Sequence, residues 1–149
     1  MTTAETFVWY RATPELRLGI AHLWKQNSFR FLASIRILAE TENRPSLSAS
    51  AGVQGIGTGN PGYSLTLEKN VDLDGLKVNA FAGVGFRSNE SHGHPLGGVK
   101  LGVSENINIG FQNDGHQTHP FITFSKDEWV AGFYLIDGKS AAWMLGVRF

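Results

Sequence analysis

Hydrophobic and polar residues alternate along nearly the whole chain. "LRLGIAHLW" sets Leu16, Leu18, Ile20 and Trp24 against Arg17, Gly19, Ala21 and Lys25. "SFRFLASIRILAE" sets Phe29, Phe31, Ala33, Ile35 and Ile37 against Arg30, Ser34, Arg36 and Glu40. "SLSASAGVQG" and "LKVNAFAGVGFR" repeat the theme, and "YSLTLEK", "GGVKLGVS", "INIGFQND", "PFITFS", "WVAGFYLID" and "AAWMLGVRF" continue it. Period two is the signature of a strand, whose successive side chains point to opposite faces, and no segment fits a helical period better. Pro14, Pro45, Pro61, Pro95 and Pro120 fall at turns or strand starts, where a missing N–H does no harm. Asp74-Gly75, Asp114-Gly115 and Asp137-Gly138 are hairpin-turn pairs.

The pattern predicts an all-β chain forming a single domain over residues 1–149. The expected architecture is an antiparallel up-and-down meander of about 10 strands, within a range of roughly 8 to 12. Counting "FVWYR" gives an eleventh strand; then either that piece lies outside the sheet or one strand has been divided. A meander this long exposes two edges unless it closes. Closure into a barrel is therefore expected, with the last strand paired along its length with the first.

Alternation does not say which face is outside. A barrel in water turns its apolar face inward, and a barrel in a membrane turns it toward lipid. The polar face is rich in Ser, Gly, Thr and Asn, which suits a narrow lumen better than a water-facing surface. Trp9, Tyr10, Trp24, Tyr63, Trp129 and Trp143 gather near expected strand ends, as in an aromatic girdle at a membrane interface. The longest strands, about 12 residues, would span about 30 Å when tilted near 40°. Composition agrees: charged residues are 17% of the chain and 18 residues are glycine. Thirteen basic and 13 acidic residues balance, so no nucleic-acid partner is expected. There is no cysteine, which removes disulfides and thiolate chemistry.

"WMLGVRF", with Trp143, Leu145, Val147 and Phe149 on every second position, resembles the closing strand of bacterial outer-membrane β-barrels. "YRATPELRLGI" and "GVSENINIGF" resemble the short periplasmic turns of that family. The resemblance is one of style over the whole chain and implies a porin-like transmembrane β-barrel in the outer membrane. Its partners would be the lipid bilayer and the insertion machinery, which reads Trp143, Leu145, Val147 and Phe149 as an assembly signal. "MTTAETF" has no basic start or apolar run, so this reading takes the chain as a mature form without its signal peptide. No connection is long, whereas extended outer loops often carry the function of family members.

Under the membrane reading, the lumen face carries Arg11, Arg17, Lys25, Arg30, Arg36, Lys77, Arg87, Lys100 and Arg148, against Glu40, Glu68 and Asp114. A low-dielectric wall concentrates such a field, so small anions are the expected solutes. The function expected is non-enzymatic: a passive small-anion pore, or a structural or adhesive membrane module plugged by its own side chains, with no cofactor. One alternative is a water-soluble barrel that binds an apolar ligand inside. A weaker one is a lipid hydrolase at the rim, suggested by Ser91 and His92, although adjacent strand residues would point opposite ways.

Four of the five histidines lie in two connections, "SNESHGHP" and "QNDGHQTHP". A meander places both at one end. His92, His94, His116 and His119, with Asp114 and Glu90 nearby, have spacings that suit Zn²⁺, Cu²⁺ or Ni²⁺. The plain reading is four polar turn residues. Glycine runs such as "GTGNPG" and "GVGF" open no helix and read as turn and strand glycines.

Overall fold

A computed structural model describes residues 5–53 and 59–147. It contains eleven strands: β1 (Glu5–Arg11), β2 (Leu16–Leu23), β3 (Ser28–Leu38), β4 (Ser46–Val53), β5 (Pro61–Leu73), β6 (Leu76–Arg87), β7 (His94–Gly102), β8 (Ile107–Asn113), β9 (Thr118–Lys126), β10 (Trp129–Ile136) and β11 (Ser140–Val147). They form one sheet in which every strand pairs antiparallel with its neighbour in sequence, and the sheet curls into a nearly closed barrel. "FVWYR" belongs to β1, whose ladder with β2 runs from Glu5↔Leu23 to Arg11↔Arg17.

The local chemistry follows the alternation. Asp74-Gly75 forms a two-residue hairpin turn with positive φ at both residues, and Asp137-Gly138 takes positive φ at both residues within the three-residue connection 137–139. Among the described residues the register shifts between Arg36 and Leu38, where β3 carries an extra residue against β4. A bulge there bends the strand and raises its twist, which helps the sheet curl.

The convex face carries the large apolar side chains. Phe31 is 86% exposed, Trp143 81%, Leu145 74% and Phe29 69%. Only three hydrophobic side chains are fully buried among the described residues: Ala21, Leu23 and Leu32, a small patch inside the sheet with Val53 packed against it. The buried core is thus minute, and far more large apolar side chains are exposed than buried among the described residues.

Two expectations need correction. No ladder joins β1 to β11 among the described residues, and these strands are the two edges of the sheet. In an eleven-strand meander the first and last strands run in the same direction, so antiparallel pairing cannot continue across the seam and closure there would need a parallel ladder. The aromatic girdle is also not formed as expected. Trp9 stands opposite Gly19 with its ring over that glycine, on the concave side. Trp143 lies along β11 opposite Phe133, away from the strand ends.

Candidate functional site

The concave face is built by parity. Ser34, Ser48, Ser50, Ser64 and Thr66 line the β3–β5 sector, where the Ser50 hydroxyl donates to Ser34 Oγ at 3.1 Å. Beyond them an amide–carboxylate chain forms. Asn79 Nδ2 donates to Glu68 Oε1 at 2.6 Å and to Asn70 Oδ1 at 2.8 Å, and Asn70 Nδ2 donates to Glu40 Oε2 at 2.7 Å. The Asn70 side chain and backbone N–H together hold the Glu40 carboxyl below its usual range.

In the β6–β10 sector a cavity of about 300 Å³ is lined by Asn79, Lys100, Gln112 and Thr123, but also by Phe81 and Tyr134. These inward aromatics were not foreseen. Phe121 lies against Gly110, where a Cβ would sit 2.8 Å from the ring, so glycine on one strand makes room for a ring on the next.

The basic residues expected in the lumen do different things. Arg17 is exposed and stands directly opposite Arg11, a like-charge pair with no ion pair to either member among the described residues. Arg36, also exposed, donates from Nη2 to the Pro14 carbonyl at 3.1 Å. Arg30 is half-buried; Nη1 donates to the Phe29 carbonyl, while its shielded Nε has no partner. Lys77 and Lys100 are exposed, opposite Asp72 and Asn79 respectively. Arg87 is buried and belongs to a cluster at the rim. Arg148 and Phe149 lie outside the described residues; Trp143, Leu145 and Val147 are exposed on β11.

The rim cluster joins the β6–β7 connection (88–93) to the β8–β9 connection (114–117). Arg87 Nη2 donates to the Asp114 carbonyl at 2.9 Å and to Asp114 Oδ2 at 3.1 Å, and Nη1 lies 3.9 Å from Glu90 Oε1. Burial opposes charge on Asp114. The backbone N–H groups of Gln117 and His116, aided by the Arg87 and His119 charges, outweigh it and hold the carboxyl below its usual range.

The histidine grouping differs from the expected four. His94 Nε2 lies 2.5 Å from Glu90 Oε2, and His116 Nε2 lies 2.9 Å from Glu90 Oε1. The ring centroids of His94 and His116 are 4.1 Å apart. His92 stacks on His94 from the side, at 4.6 Å. His119 is fully buried in β9, accepting the Asp137 backbone N–H at Nδ1 (3.3 Å) with Nε2 3.6 Å from Asp114 Oδ2. His119 is separated from His116 because Thr118 already begins a strand, which turns the next side chain inward. Glu90 therefore completes the group, and His92 and His119 leave it.

Ser91 and His92 lie in a bend rather than a strand, so their side chains do approach, with Oγ 3.5 Å from Nδ1. That is long for a hydrogen bond and poorly suited to activating a nucleophile. No protein family, curated protein or solved structure was found to match this chain.

Proposed function

We propose that the chain is a small, non-enzymatic outer-membrane β-barrel whose polar concave face offers a narrow path to small anions. The observation that carries this reading is the exposed apolar surface. Twenty-eight large hydrophobic side chains are exposed, against three buried hydrophobics, among the described residues. Each large apolar side chain left in water forgoes roughly 1.5–3 kcal/mol. A surface of this kind suits a hydrocarbon solvent, where a closed set of strands is one of the two ways to satisfy the backbone, and there the β1 and β11 edges would have to meet. Trp24 and Tyr63 at one end, and Tyr10 and Trp129 at the other, would then sit near the two interfaces.

Eleven strands about 4.8 Å apart, tilted about 40°, enclose a backbone radius of roughly 11 Å. Inward side chains fill much of that space, so any path is narrow. Arg11, Arg17 and Arg36 give it a basic sector. The buried patch of Ala21, Leu23 and Leu32 favours a second reading, a plugged structural barrel without conduction. The soluble ligand-binding reading would need the apolar face turned inward, opposite to the observed exposures.

The test is a gel comparison of unheated and boiled protein, refolded in detergent and in plain buffer. The membrane reading expects a heat-dependent shift in detergent and aggregation in buffer. A monodisperse folded protein in buffer would overturn it.

A further inference from the structure

We infer that Glu90, His94 and His116 form a binding site for a borderline divalent metal ion of the Zn²⁺ class. The inference rests on side-chain geometry at the rim and holds whether or not the barrel sits in a bilayer. The three side chains each present a ligand atom, and these atoms lie within 4.8 Å of one another. Glu90 Oε2 and His94 Nε2 are both shielded from solvent, yet neither has a hydrogen-bond partner, despite standing 2.5 Å apart. They are close without being aligned as donor and acceptor. Two shielded ligand atoms in contact without a hydrogen bond between them are both available to a shared cation.

The frame around them is fixed from both sides. Arg87 ties the β6–β7 and β8–β9 connections together through Asp114. Gly115, at φ 97°, lies so close to His94 that a Cβ there would stand 2.5 Å from the His94 Cβ. His94 opens β7 and is only slightly exposed, whereas the His116 side chain is 39% exposed. The site is thus walled on one side and open on the other, beside a cavity of about 590 Å³ bordered by Tyr63, Phe86, Arg87, Glu90, Ser91 and His92. With neutral imidazoles, Arg87, Asp114 and Glu90 sum to one negative charge, which favours a cation.

Two imidazoles and a carboxylate select Zn²⁺, Ni²⁺ or Cu²⁺ over Mg²⁺ or Ca²⁺, which prefer all-oxygen shells. Zn²⁺ bound at about 2.0–2.2 Å holds tetrahedral ligand atoms about 3.3 Å apart. The Glu90–His94 and Glu90–His116 spacings, 2.5 and 2.9 Å, need to open by less than about 1 Å to admit the ion, and all three ligand atoms already lie within 4.8 Å of one another. The exposed side leaves a fourth position for water.

The test is calorimetric titration of the folded full chain with ZnCl₂, in detergent or buffer, whichever keeps it monodisperse. Glu90→Gln, His116→Gln and His92→Gln variants are measured alongside, each first checked for an unchanged metal-free melting temperature. The expected result is one Zn²⁺ per chain, unaffected by excess Mg²⁺. Affinity should fall more than about tenfold for Glu90→Gln and for His116→Gln, and stay within about twofold for His92→Gln. His116 is the more exposed ligand, so its variant keeps the test decisive if Glu90→Gln fails to fold. Absence of stoichiometric binding by the folded wild-type chain, or equal affinity in the His116→Gln variant, overturns the proposal.

Discussion

Asp114 accepts two backbone N–H bonds and the Arg87 guanidinium, and that concentration of donors has a pH signature. A carboxylate favoured in the folded state, from an ordinary value of 3.8, stabilises the fold fully above that value. The stabilisation is lost as pH falls through the lower folded value. Melting temperature followed from pH 6 to pH 3 should therefore drop in the wild-type chain. Asp114→Asn should begin lower, by on the order of 3 kcal/mol, because the buried Arg87 loses its nearest carboxylate and keeps only the residue-114 carbonyl and the longer contact to Glu90, and should show less acid sensitivity over the same range. Arg87 illustrates what single residues conceal in a sequence. Its parity placed it on the concave face correctly, but it closes β6 against a turn, so its charge is spent on Asp114. Glu90 was visible only as a neighbour of the histidines, because connections have no period from which to read a side chain's direction.

At the level of the strand, legibility followed from period two. The β3 reading of Phe29, Phe31 and Ile35 outward, and Arg30 and Ser34 inward, matches their exposure and register. The same period sets Phe81 in step with Asn79 and Gly83, and Phe121 opposite Gly110, on the concave face, although polarity alone gives no reason to expect aromatics there. Gly98 and Gly110 on neighbouring strands leave room for the Phe81 and Phe121 rings, and Gly132 on β10 itself lies beside the Tyr134 ring. The strand-level prediction concerns one such glycine. Gly110→Val would press a side chain against the Phe121 ring and the Val99 carbonyl. The expected loss is about 1–3 kcal/mol, read as a lower midpoint in denaturant titration of the folded barrel. An unchanged midpoint would mean that the ring swings away freely.

For the whole molecule, the consequential feature is where uncommitted charge remains. Arg87 is paired, so Arg11, Arg17, Arg30, Arg36, Lys77 and Lys100 are the concave basic groups without an ion pair among the described residues; Arg17 and Arg36 are among the exposed ones. Replacing Arg17 and Arg36 with Ser should lower anion-over-cation preference severalfold in planar-bilayer recordings. Replacing Arg87 should instead disturb the rim, with little change in selectivity. Absence of conductance in the wild-type chain would favour the plugged barrel. A different consequence follows from the strictly sequential strand order. Each of the ten ladders joins neighbours in the chain, so every pairing step closes a short loop and is entropically cheap. Hairpins can therefore accrete one at a time from any starting point, as low contact order permits. Closure between β1 and β11, which no ladder joins among the described residues, would alone bring together segments more than a hundred residues apart. Folding kinetics should accordingly divide into a fast, locally driven phase and one slow event, the meeting of the two edges.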